Sequence, residues 1–180
     1  MKELSLHILD IMQNSITAGA TLVTLDLIED TAADILKFSV TDNGKGMTPE
    51  MAKAVIDPFT TGRTTRKVGL GIPLLKLAAE NTGGGIELSS EVGVGTVISA
   101  VFGYSHIDRQ PLGNMAETML GIFTSHEDID FVYKHRHNDK EYSVDTRELK
   151  KILGGVPFTQ PEVTLWLSDF LKENEQELYA

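Results

Sequence analysis

The chain has 180 residues, a formal net charge of -10 and no cysteine. The length suits one domain with a small appendage, and the lack of cysteine excludes disulfides and thiolate metal sites, which fits a reducing cytoplasm. Residues 1–103 carry 8 basic and 12 acidic side chains and residues 104–180 carry 8 and 14, so neither half can neutralise many nucleic-acid phosphates.

No run of about twenty apolar residues exists to span a membrane, and with no long apolar core after Met1-Lys2-Glu3 a signal peptide is not expected. A cytoplasmic protein with neither a nucleic-acid nor a membrane partner is therefore expected.

In chain order, Leu4, Ile8, Ile11, Met12 and Ile16 predict a helix over 3–18 with one apolar stripe. Alternation predicts strands at 21–28 and 35–41. Thr48-Pro49-Glu50 opens a short helix that ends before Asp57-Pro58. Residues 59–68 read as a mobile loop. A helix follows at 71–82, stopped by Gly83-Gly84-Gly85. Strands at 86–90 and 96–104 form a hairpin. After Tyr104 come a helix at 112–124, a second hairpin (131–135 and 141–144), a capping box at Asp145–Glu148 and a last helix from Pro161 to Glu177. The pattern is α+β.

Four short motifs carry the chemistry: Asp10-x-x-x-Asn14, Asp42-Asn43-Gly44-Lys45-Gly46, Gly69-Leu70-Gly71 and Gly93-Val94-Gly95-Thr96. Each alone has a plain structural reading: a solvated polar pair, an Asn-Gly turn, a hinge, a hairpin turn. Together they describe a pocket for ATP with Mg²⁺.

Asp10 and Asn14 share a helix face. The Asn14 amide oxygen suits Mg²⁺, and the Asp10 carboxylate suits a general base. Asp42 is placed to accept from the exocyclic amine of adenine, which guanine lacks at that position. Gly44 and Gly46 permit close backbone approach. Gly69, Leu70 and Gly71 precede a helix whose free N–H groups favour phosphate. Arg63, Arg66 and Lys67, isolated in an acidic chain, are placed to reach a γ-phosphate. The Thr96 hydroxyl is expected to join Asp42 at the adenine edge.

Other conspicuous residues read more plainly. His7 is expected to be packed or half-exposed rather than a phosphoacceptor. His135 and His137 have metal-ligand spacing, yet no third ligand is evident and an exposed hairpin is expected. Trp166, Leu167, Phe170 and Leu171 read as core, with an oligomer interface as the alternative.

With these residues in view, 5–103 resembles the GHKL ATPase superfamily of gyrase, the heat-shock chaperone, histidine kinases and MutL. Asp10–Asn14 looks like its N box, Asp42–Gly46 its G1 box, Asp57-Pro58-Phe59 its F box and Val68–Gly71 its G2 box. The resemblance implies a Bergerat-type α/β sandwich over 1–104, with ATP under a lid at 60–68, and a small α+β extension over 105–180.

The lid is similar to that of histidine kinases, while the first helix reads like that of MutL. Histidine kinases usually carry Asn at the place of Asp10; gyrase, MutL and the anti-sigma serine kinases carry Glu as general base. Asp10 keeps the charge on a shorter stem. Because the motif begins at residue 10, no dimerisation helix pair with a phosphoacceptor histidine is expected upstream of it. A stand-alone ATP-binding protein is expected, acting by phosphoryl transfer to a protein partner or by slow hydrolysis. The alternative is a nucleotide-dependent switch or assembly module, with a homodimer among the states it allows.

Overall fold

Leu4, Ile8, Ile11 and Met12 are completely or almost completely buried, and they press helix α1 (Leu4–Thr17) onto a six-stranded sheet. The computed structural model describes residues 2–57 and 70–180. Glu3 offers α1 no side-chain cap. Its free N–H groups are met instead by a distant segment: Leu4 and Ser5 donate to the carbonyls of Pro111 and Leu112, at 2.9 and 2.8 Å. The link after Tyr104 is thereby tied to the start of α1.

The remaining elements are strands β1 (Leu22–Asp30) and β2 (Ile35–Asp42), helices α2 (Pro49–Ile56) and α3 (Gly71–Glu80), strands β3 (Gly85–Glu91) and β4 (Gly95–Gly103), helix α4 (Met115–Ser125), strands β5 (Asp130–His137) and β6 (Lys140–Asp145), and helices α5 (Thr146–Leu153) and α6 (Pro161–Leu178). The sheet order is β3-β4-β2-β1-β5-β6. All neighbours are antiparallel except β1 and β5, which run parallel with Leu25 opposite Tyr133. The second hairpin therefore extends the first sheet rather than forming a sheet of its own.

Strict alternation in β1 buries Val23, Leu25, Leu27 and Glu29 on the helix-covered face. Phe38 and Phe102 stack there with ring centroids 6.2 Å apart, and full burial of each such side chain stabilises by about 1.5–3 kcal/mol. Across this face α3 packs on α1, α1 on α4, and α4 on α6. Thr48 accepts from the Met51 N–H at 3.2 Å and Asn114 from the Glu117 N–H at 3.0 Å, fixing the starts of α2 and α4. Asp145 starts α5 by accepting from the Arg147 N–H at 3.0 Å, and Gly154 ends that helix in the left-handed conformation.

Three side chains depart from expectation. His135 is not on an exposed hairpin: it is 1% exposed, because its strand is interior to the sheet and α6 covers it. Its Nε2 lies 2.8 Å from Glu29 Oε2 and its Nδ1 2.8 Å from Glu175 Oε2. The last helix is also split. Leu167 and Leu171 point into the core, whereas Trp166 is 48% exposed and Phe170 only partly covered, because they lie on a different side of the helix.

Candidate nucleotide-binding site

The turn after β2 is held in place before it can hold anything else. Asn43 accepts from the Thr21 and Leu22 N–H groups, at 2.8 and 3.0 Å, and donates to the Thr21 hydroxyl at 2.9 Å. The Lys45 N–H donates to the Ala18 carbonyl, and the Lys45 carbonyl accepts from the Gly93 N–H. The loop is thus clamped between the end of α1 and the β3–β4 turn.

Gly46 has φ +71°, and a Cβ there would fall 1.9 Å from the Glu91 carbonyl oxygen. The glycine serves the contact between these two loops, so the close approach it permits is first of all to protein.

Asp42 ends β2 with its carboxylate fixed from three sides. Oδ2 accepts from the Ser15 hydroxyl at 2.6 Å, and Oδ1 from the Gly44 N–H at 2.9 Å and the Thr96 N–H at 3.3 Å. A carboxylate has about four acceptor positions, so capacity remains for one further donor. The Thr96 hydroxyl is itself 2.8 Å from that of Ser90, which also accepts from the Met47 N–H at 2.8 Å.

Ser15, Asp42, Met47 and Thr96 border a cleft of about 280 Å³ between α1, α2, the start of α3 and the sheet, near the lower bound of roughly 300 Å³ for small-molecule sites. Its apolar wall includes Ile11, Met47, Met51, Val55, Ile72 and Ile98. Its polar lining includes Asp10, Asn14, Ser15, Asp42, Lys45 and Thr96. An apolar slot with a few fixed polar groups suits a flat heteroaromatic ring carrying one donor.

Of the residues singled out from sequence, Asp10, Asn14, Asp42, Gly46, Gly71 and Thr96 converge on this cleft. Gly44 contributes its N–H to Asp42. Leu70 stands before α3, 55% exposed and outside the lining. Arg63, Arg66, Lys67 and Gly69 lie outside the described residues, as do Pro58 and Phe59. Asp10 lies against Gly71: a Cβ at that glycine would meet Asp10 Oδ2 at 1.7 Å.

Sequence reasoning missed Ser15, Lys45 and Ser90 as site residues. Ser15 left one signal: it falls four residues after Ile11 on the apolar side of α1 and is 3% exposed. A buried hydroxyl on an apolar face needs a partner. Ser90 left no comparable signal, because β3 carries serines at both 89 and 90.

Fold and cleft together define a nucleotide-binding domain of the α/β-sandwich class. The model of the family described as "Histidine kinase-, DNA gyrase B-, and HSP90-like ATPase" matches residues 2–105, and the chain belongs to that family. It is 30% identical over 112 residues to the non-motile and phage-resistance protein of Caulobacter vibrioides, covering 57% of this chain and 13% of that protein. It is 29% identical over 93 residues to the sensor histidine kinase ZraS of Salmonella typhimurium, covering 51% of this chain and 20% of the kinase. The chain thus spans a fifth or less of the length of these relatives. Among solved structures, the N-terminal domain of a DNA repair protein aligns with TM-score 0.54 and 12% identity, over 80% of this chain and 52% of that one. This likeness is one of fold. Among the described residues no helix is long and apolar enough to cross a membrane.

Proposed function

We propose that the cleft binds Mg·ATP and that the chain transfers the γ-phosphoryl group to a protein partner or hydrolyses ATP slowly. The observation that carries this reading is the Asp42 carboxylate, held by Ser15, Gly44 and Thr96 beside a cleft that Asp10, Asn14 and Lys45 also line. In this reading Asp42 accepts from the adenine amine, and the apolar wall takes the faces of the ring. A guanine carbonyl at the same place would oppose a carboxylate that cannot donate.

The donor set near Asn14 suits Mg²⁺, which prefers oxygen ligands and keeps several waters. The Asn14 amide oxygen would hold it, with Asp10 one turn away on the same helix. The ion, when bound, supplies charge neutralisation at the phosphates. Asp10 orients the nucleophile and accepts its proton. Arg63 and Lys67 are assigned to the γ-phosphate, and Gly69, Leu70 and Gly71, the last of which opens α3, to the phosphate oxygens.

One observation favours a second reading, a nucleotide-dependent switch. Asp10 packs on Gly71, the first residue of α3. A nucleotide that moved Asp10 would also move the start of that helix, and with it the surface presented to a partner.

Calorimetric titration with Mg·ATP and Mg·GTP, followed by phosphate release on the same sample, tests the proposal. ATP-selective binding is expected, and Asp42→Asn should lower ATP affinity about tenfold to a hundredfold, the range for a hydrogen bond to a charged group. Equal binding of the two nucleotides would refute the adenine assignment. A change of assembly state with a non-hydrolysable analogue, without turnover, would select the switch.

A further inference from the structure

Helix α6 carries two unlike faces. Leu167, Leu171 and Leu178 are buried. On another side Trp166 and Phe170 stack on each other, with centroids 5.5 Å apart and planes 20° from parallel. Trp166 is 48% exposed and Leu165 64%. A tryptophan is the most costly residue to leave half in water, and it is among the residues most enriched at the centres of protein interfaces.

On α6 itself the charges nearest this pair have one sign. Helical neighbours lie three and four residues apart. For Trp166 these include Glu162, Asp169 and Phe170, and for Phe170 they include Glu173. Lys172 is the one cation in α6. Two residues from Phe170 along the helix, it falls away from the aromatic pair.

We propose that the Trp166–Phe170 ridge of α6 is a docking surface for a basic amphipathic segment of a protein partner. The aromatic pair supplies the apolar anchor, and Glu162, Asp169 and Glu173 form an acidic rim that selects Lys or Arg around it. A second copy of this chain is a poor occupant, because two such ridges would bring carboxylates against carboxylates. The proposal does not depend on the nucleotide reading, since the ridge shares no residue with the cleft.

Trp166 is the single tryptophan of the chain, so its fluorescence reports on this surface alone. The probe is a synthetic amphipathic helix of leucine and lysine, titrated into the full chain, with the same leucine pattern carried on glutamate as control. The lysine peptide should bind, shift Trp166 emission to the blue and weaken with salt, and the glutamate peptide should not bind. Asp169→Lys should weaken binding by about tenfold or more, and Glu87→Lys, an equal charge change at the far edge of the sheet, should leave it within about twofold. Equal weakening by both variants would reduce the effect to net charge and overturn the proposal, as would absence of an emission shift. Sedimentation of the chain alone supplies a further arm. A dimer that Trp166→Ala abolishes would give the ridge to a second copy and also overturn it.

Discussion

Ser15 donates its hydroxyl proton to Asp42 Oδ2 across 2.6 Å, joining two residues 27 positions apart in the chain. The contact links the helix that carries Asp10 and Asn14 to the strand end that carries Asp42. It leaves the carboxylate with a fixed direction rather than a range of rotamers, and a site that must distinguish one base edge from another needs that direction.

Ser15→Ala removes this donor and leaves a methyl in a buried place. ATP affinity is expected to fall by about tenfold, corresponding to one charge-assisted hydrogen bond of roughly 1.5 kcal/mol. Calorimetry on the variant and the parent checks the value. A matching fall in thermal stability would instead assign Ser15 to the fold.

Gly71→Ala probes the contact between α3 and Asp10. The new Cβ would fall 1.7 Å from Asp10 Oδ2, and the carboxylate, at the end of a rotatable side chain, is the part that gives way. Turnover should drop about as far as loss of the Asp10 carboxylate would cause, while ATP affinity stays within about threefold, because the backbone N–H that Gly71 offers the phosphates survives the substitution. Phosphate release and calorimetry separate the two. Full turnover in Gly71→Ala would remove the orientation of Asp10 from the mechanism.

The order of elements was legible in the sequence because apolar periods and caps are local. The stripe Leu4, Ile8, Ile11 and Met12, the Thr48-Pro49 start and the Asp145 cap all lie within a few residues of what they determine. The parallel pairing of β1 with β5 was not legible, because a register between Leu25 and Tyr133 is fixed by packing across a hundred residues.

The same limit applied to side chains. The cleft residues legible in the sequence sit in the four short motifs, Asp10 and Asn14 on one helix face and Asp42, Gly46, Gly71 and Thr96 in or beside glycine-rich turns. Ser15 and Ser90 were missed because their partners, Asp42, Thr96 and the Met47 N–H, come from other elements. His135 was misread as exposed because a histidine in a strand gives no sign of the two carboxylates that reach it from β1 and α6.

That histidine makes stability depend on pH. Burial alone would lower its pKa. The hydrogen bonds to Glu175 and Glu29 outweigh this and raise it from 6.5 to about 9. Burial would raise the pKa of Glu29, but its bonds to His135 and Tyr179 leave that carboxyl below its ordinary value of 4.5. The histidine stabilises fully below about 6.5, and its contribution is lost as pH rises through about 9. The Glu29 contribution is present above about 4.5 and is lost as pH falls through its lowered value. Between 4.5 and 6.5 both act. Urea unfolding from about pH 6 to about pH 10 should show a loss of roughly 3 kcal/mol, and His135→Gln should flatten the slope. An unchanged slope in the variant would place the pH dependence elsewhere.

Gly46→Ala tests whether the loop after Asp42 can shift without losing its grip on the carboxylate. The residue sits at φ +71°, where a side chain is strained. Its Cβ would lie 1.9 Å from a backbone oxygen, that of Glu91, which cannot rotate away. The β3–β4 turn must therefore separate from the loop, taking the Gly93–Lys45 hydrogen bond with it. A loss of about 2–4 kcal/mol in stability is expected from overpacking and strain together. Because Gly95 and Thr96 follow the same turn, the Thr96 N–H should also withdraw from Asp42. ATP affinity should then fall in parallel with stability, which distinguishes this variant from Gly71→Ala. Urea unfolding and calorimetry on one preparation give both quantities. A destabilised variant with undiminished ATP affinity would show that Asp42 is held firmly enough by Ser15 and Gly44 alone.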